Sequence, residues 1–408
     1  MNRITSIFIS VILIGVSACS SPQDAAMDLR EIPFPGEANS SLPVLSSDGD
    51  SLVFSWVSRV NDSLATFSYA FLDGDRWTEP KVISSGTDWF VNWADFPAIV
   101  QNKGNLLSHL LQKSSGATFS YDVKLNVLPK GSSNWKTGLP LHVDSTFTEH
   151  GFVSSFGYTD SSYFVSWLDG RETGEGGHDH AGHSGAMSIR AAEVALDGRV
   201  LWDELLDAKT CDCCQTTSAL TAQGPVVIYR NRSDREIRDI AITRLVNGKW
   251  TEPDIIHADG WEIAGCPVNG PKAAALGNTL LVAWFTAPKE VPEVKFAFST
   301  DSGASFGQPV TLEGNGVIGR VDVALLDEGA GVVSWMETIA DTTYLQAARI
   351  DLDGKMGSPK RIARMDPGRK SGFPQLELYK DKLFFAWTEV DDKGSTVRTA
   401  VLPSAAFY

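Results

Sequence analysis

Three of the chain's five cysteines crowd into Thr210-Cys211-Asp212-Cys213-Cys214-Gln215, and a fourth, Cys266, lies in Ala264-Gly265-Cys266-Pro267-Val268-Asn269-Gly270-Pro271. Three imidazoles are grouped in Gly177-His178-Asp179-His180-Ala181-Gly182-His183. Thiolate and imidazole together select soft or borderline transition metals, which makes copper and zinc the leading candidates. Calcium or magnesium would call for carboxylates and carbonyls instead. A metal set of Cys211, Cys213, Cys214 and Cys266, helped by His178, His180 and His183, is one expectation; thiol redox chemistry at the same sulfurs is its neighbour. Outside a cytoplasm the four cysteines also form an even set for disulfides. Cys213 and Cys214 are adjacent and would close a strained ring, whereas Cys211 or Cys214 paired with Cys266 would staple two loops. Inert thiols, and an exposed histidine tract with only adventitious metal affinity, remain open too.

These segments can meet only if the fold brings distant loops together, and the sequence contains a device for that. A unit recurs about every fifty to sixty residues, marked by an alternating strand that ends in a large residue. The markers are Trp56, Trp167, Trp284, Trp335 and Trp387, with His109 and Tyr229 in two weaker copies. A short strand precedes each marker strand, as Leu42-Pro43-Val44-Leu45 precedes Leu52-Val53-Phe54-Ser55-Trp56. Hairpin turns follow a third strand, at Asp73-Gly74, Asp197-Gly198, Asn247-Gly248 and Asp353-Gly354 among others. Four antiparallel strands per unit predict an all-β propeller of seven four-stranded blades, with six as the alternative. The last unit, 372–402, has only three strands, so residues 28–34 are expected to supply the fourth and close the ring. In this frame the cysteine segments enter blades four and five, and the histidine segment joins two strands of blade three. All three then open on one face.

The N-terminus reads as a secretion signal: Arg3, then a short apolar run over Ile4 to Val16, then Val16-Ser17-Ala18-Cys19. Those last four residues resemble the lipobox of bacterial lipoproteins. The resemblance implies cleavage after residue 18 and a palmitate-bearing lipid on Cys19; a tether over 19–27 then leads into the repeat units, read as one propeller domain over 28–408. Ser20 and Ser21 follow with no Asp after the cysteine, which by the same resemblance implies the outer membrane, periplasmic or surface-facing. The full chain carries formal charge −15, with 35 basic against 50 acidic side chains and no basic cluster, so nucleic acid is set aside as a partner. A membrane held through the lipid, a glycan or a protein ligand are the partners expected of a monomer.

Ser299-Thr300-Asp301-Ser302-Gly303-Ala304-Ser305-Phe306 resembles the Asp-box of the sialidase and BNR-repeat propellers. The resemblance implies the propeller fold and, as a second functional reading, a sialidase-type glycoside hydrolase or glycan binder. Such enzymes hold a substrate carboxylate with three arginines, and Arg171, Arg230, Arg320 and Arg369 fall at strand exits on the loop-bearing face, with Glu149, Glu337 and Glu389 as acidic partners. Departures are visible: Arg30-Glu31-Ile32-Pro33 only approximates the family's opening, and no tyrosine occupies a late loop of that face. Trp89, Trp93, Asp95, His150, Trp261 and Glu262 are further candidates in the inter-blade loops, where aromatics could stack on a sugar. A non-catalytic interaction scaffold is the third reading.

Overall fold

In a computed structural model, describing residues 29–61, 63–174 and 185–408, seven antiparallel sheets follow one another along the chain. Blade one is built on Ser40–Ser47, Leu52–Arg59 and Ala65–Asp73, and its outer edge is split between Arg76–Trp77 and Lys81–Gly86. Blade two runs from Ala98–Asn102 to Lys136–Pro140, blade three from His150–Thr159 to Val200–Asp207, and blade four starts at Thr217–Thr221 and Gly224–Arg230. Blades five and six start at Lys272–Leu276 and Val317–Asp327. In blade seven, Gln375–Tyr379, Lys382–Asp391 and Gly394–Pro403 are completed by Arg30–Ile32, which pairs with the third of them at Ile32↔Thr399. The seven-bladed expectation and the N-terminal closure therefore both hold. Residues 1–28, with Cys19, the proposed signal segment and the tether, lie outside the described residues, as do His178, His180 and His183. No helix among the described residues is long and apolar enough to cross a membrane.

Second strands of the blades are apolar on both faces because they are sandwiched between adjacent sheets, and the marker residues sit at that interface. Trp56, Trp167, Trp284 and Trp335 are almost completely buried, as are Tyr229 and His109 in the two weaker copies. The Ser299–Phe306 hairpin closes on its own side chains: Asp301 Oδ1 accepts from Ser305 N at 2.9 Å and from Ser299 Oγ at 2.7 Å, and Gly303 takes φ +80°.

Innermost strands line a central passage of about 590 Å³. Three of them carry a bulge at the same level, where Leu42, Phe152 and Arg320 adopt φ of 59°, 51° and 51°. Above these bulges, side chains of one blade bond the backbone of another. Asp95 accepts from Phe152 N at 2.8 Å, Gln215 from Gly270 N at 2.9 Å, Asn269 from Arg320 N at 2.8 Å and Asp322 from Leu376 N at 2.9 Å. The loop-bearing face is thus laced blade to blade by hydrogen bonds that no sheet supplies.

Ring closure adds one more buried contact: Ile32 packs against Phe54, Trp77 and Val401, and its carbonyl accepts from Thr399, which also accepts from Trp77 Nε1. Ile32→Ala is expected to cost about 2 to 4 kcal/mol, from lost burial and the cavity left behind. A denaturant titration checks this, with the midpoint falling and the slope unchanged.

Candidate functional site

Thr210 to Gln215 form the loop that leads into blade four, and residues 260–271 lead into blade five. The two loops touch, because Gly270 has no side chain: a Cβ there would lie 2.0 Å from the Gln215 carbonyl oxygen. Gln215 Nε2 donates across the axis to the Ala94 carbonyl at 2.7 Å, which seats the cysteine loop on blade two as well.

On this seat the Sγ atoms of Cys211, Cys213 and Cys214 all lie within 4.8 Å of one another. Cys211 Sγ donates to Cys214 Sγ at 3.4 Å, and Cys213 bonds Cys266 through its side chain. The four sulfurs predicted to converge are therefore neighbours, and Cys211, Cys213 and Cys214 are thiols. Cys211, Cys213 and Cys214 are buried, whereas Cys266 is exposed.

Cations sit at the buried end. Arg238 Nη1 donates to Cys211 Sγ at 3.1 Å and is itself held by Glu236. Arg230, 1% exposed, donates to the carbonyls of Arg238, Asn269 and Phe285 and stacks over Trp261. Arg232 fixes Asp212, between the cysteines, at 2.9 Å. Burial pushes the Cys214 thiol up, but hydrogen bonds from Cys211 and Cys213, the Arg230 charge and the Asn269 backbone N–H together hold it well below the ordinary thiol range. Cys213 is driven the other way, by its bonds to Cys211, Cys214 and Cys266 and by burial, and keeps its proton. Burial above all pushes Cys211 to about 11. One thiolate shared among partners, ringed by guanidinium groups, is a ready ligand set for a soft cation.

The arginines proposed for a substrate carboxylate are engaged elsewhere. Arg171 forms a bidentate pair with Asp169, both contacts at 2.7 Å. Arg320 donates to Ser371 Oγ and to the carbonyls of Gly368 and Gly372, and lies over the Trp93 ring. Arg369 also lies over the Trp93 ring, and Glu337 and Glu389 bond Trp335 and Arg398. Glu149 accepts from Tyr121 Oη at 2.5 Å, and Asp95 accepts from the same hydroxyl at 3.1 Å. Burial first, then the Glu149 charge, raises the Asp95 carboxyl to about 8, against the hydrogen bonds that lower it. Tyr121 was not singled out in the sequence; it is fully buried and raised well above its ordinary value, so this trio ties blades two and three together.

Of a second titratable cluster the sequence offered only His150. The rings of His142 and His150 stack at 3.9 Å, and both face Asp144 Oδ2, at 2.8 and 3.2 Å. His142 Nε2 accepts from Val123 N, so its Nδ1 donates to Asp144 and the ring is neutral. Burial opposes charge on His150, but the hydrogen bond with Asp144 and the charges of Asp169, Asp144 and Asp122 outweigh it and raise its pKa above 6.5.

No protein-family model and no curated protein matches the chain. Solved structures do. A polysaccharide lyase, Uly1, superimposes with a TM-score of 0.52 at 9% identity over 92% of each chain. A variant of the NanB sialidase from Streptococcus pneumoniae gives 0.48 at 13% identity, over 93% of this chain and 71% of that one. An α-L-arabinofuranosidase from Fusarium graminearum gives 0.47 at 13%, over 93% and 98%. At these identities the likeness is one of propeller fold.

The imidazole pair sets a pH dependence. A folded pKa above 6.5 on His150 means its contribution is complete below 6.5 and lost as pH rises through the folded value. Asp144 is pulled down by His150 and Thr146 against its burial, so its share is complete above 3.8 and lost on acidification. Chemical denaturation from pH 6 to pH 9 should therefore show the stability of the wild type falling relative to that of His150→Gln.

Proposed function

We propose that this protein is an exported, lipid-anchored propeller that binds one soft or borderline transition metal ion, copper(I) or zinc, held by Cys211, Cys213 and Cys214 in a site that Cys266 borders on its solvent side. The observation that carries the reading is the approach of three buried sulfurs to within 4.8 Å of one another beside buried arginines, with the fourth sulfur in contact. Coordinated thiolates carry negative charge, and Arg230 and Arg238 offset it where water is excluded. Export through the N-terminal segment, anchorage at Cys19 at the outer membrane, and assistance from His178, His180 and His183 belong to this proposal. The cysteine loop provides the ligands and the propeller provides the rigid frame that keeps them preorganised.

A second reading, glycan binding, is favoured by one feature: a cleft of about 470 Å³ on the same face, lined by Asn39, Arg59, Asn61, Trp93, Lys370 and Asp391. Titration with acidic oligosaccharides tests it. Binding that weakens at least tenfold in the Arg59→Ser/Lys370→Ser double variant supports it, and absence of binding removes it.

For the metal reading, protein prepared anaerobically through its export route is expected to hold about one equivalent of copper or zinc by elemental analysis. Cys214→Ser should lose it, with a matching gain of reactive thiols in the stripped wild type. A wild-type chain with no metal and no capacity to take one up contradicts the proposal.

A further inference from the structure

The four sulfurs are not equivalent, and the difference runs in one direction. Cys211 and Cys214 are 1% and 2% exposed and receive the Arg238, Arg230 and Asn269 contacts. Cys213, at 8%, stands between them and Cys266, which alone faces solvent. A structural zinc site is closed by four resident ligands. Here the fourth sulfur is the mouth of the site, and the three inner sulfurs, from a single four-residue segment, suit an ion content with two or three soft ligands. The loop that carries Cys266 is pinned on either side, at Ile263 N to the Glu236 carbonyl and at Gly270 N to Gln215, so the exposed sulfur is held against Cys213.

We propose that the site is a transfer site for a soft monovalent ion, copper(I), which is exchanged with an external thiol ligand through Cys266 and held by Cys211, Cys213 and Cys214. This rests on the metal-binding reading above. Each step is ligand exchange with no change of oxidation state. As the bond from the ion to the external thiolate breaks, a bond to Cys266 Sγ forms, and the Cys266 proton passes to the departing thiolate. The ion then passes from Cys266 to Cys213 Sγ as the Cys213 proton returns to Cys266, and from there inward to the Cys214 sulfur beside the arginines. Release reverses the order. The partner class is accordingly a small thiol or a protein that presents copper(I) on cysteine.

The experiment uses copper(I)–glutathione as donor and excess glutathione as acceptor, under anaerobic conditions, with the full chain. Wild type and Cys266→Ser are expected to bind the same single equivalent at equilibrium, while loading and withdrawal in Cys266→Ser slow at least tenfold. Cys266→Met, which keeps a soft sulfur at the mouth, should recover part of the rate. Loss of the bound equivalent in Cys266→Ser, to the extent seen in Cys214→Ser, would overturn the proposal by making Cys266 a resident ligand. Rates within twofold of wild type would overturn it by leaving Cys266 without a role. A wild-type chain that takes zinc but not copper(I) overturns the monovalent assignment alone, and one that takes neither overturns the reading beneath it.

Discussion

Everything at the sulfur site depends on the meeting of two inter-blade loops at Gln215 and Gly270. The backbones approach so closely that a methyl group at Gly270 would stand 2.0 Å from the Gln215 oxygen, and the Gln215 side chain then accepts from the Gly270 N–H. The adjacent Asn269 extends the junction in three directions: its carbonyl accepts from Arg230, its side chain from Arg320 N, and its N–H reaches Cys214. Blades four, five and six are coupled through these few atoms, and Gln215 reaches blade two on the far side of the axis. Geometry at the cysteines is thereby inherited from the ring as a whole. Such support is what a ligand set needs if its members are to be held apart from covalent closure yet close enough to share one ion.

Electrostatics give the same loop its chemical bias. A guanidinium buried without a carboxylate is expensive unless its donors are satisfied and an anion lies near. Arg230 is 1% exposed, its terminal nitrogens donate to carbonyl oxygens, its Nε has no partner, and among the described residues no carboxylate pairs with it. Its charge acts instead on Cys214, whose thiol it helps to hold below the ordinary range. Arg238 divides its charge between Glu236 and Cys211. The arginines that the sialidase resemblance assigns to a substrate thus serve the interior: one answers a thiolate, one a carboxylate, and Arg320 a loop of carbonyls beneath Trp93.

Much of the architecture could be read from the chain because blade packing leaves a strong signature. A residue sandwiched between two sheets must be large and apolar, so the tryptophans recur, and the weaker copies at His109 and Tyr229 still fill the same space. Convergence of the cysteines followed from ring topology alone, before any contact was known. What stayed hidden has local causes. The bulges at Leu42, Phe152 and Arg320 place positive φ on residues other than glycine, so no glycine announces them. Arg238 looks like any charge in a polar turn until the fold sets it against Cys211. His142, Asp144, His150 and Asp169 come from separate strands and loops at spacings that fit no metal or catalytic motif, and only packing unites them.

X-ray absorption at the metal edge, on protein loaded with one equivalent of copper(I), addresses the central claim without reference to variants. The account predicts a first shell dominated by sulfur, with about three sulfur scatterers. A shell dominated by nitrogen or oxygen would contradict it, since the ion would then lie somewhere other than the loop of Cys211, Cys213 and Cys214.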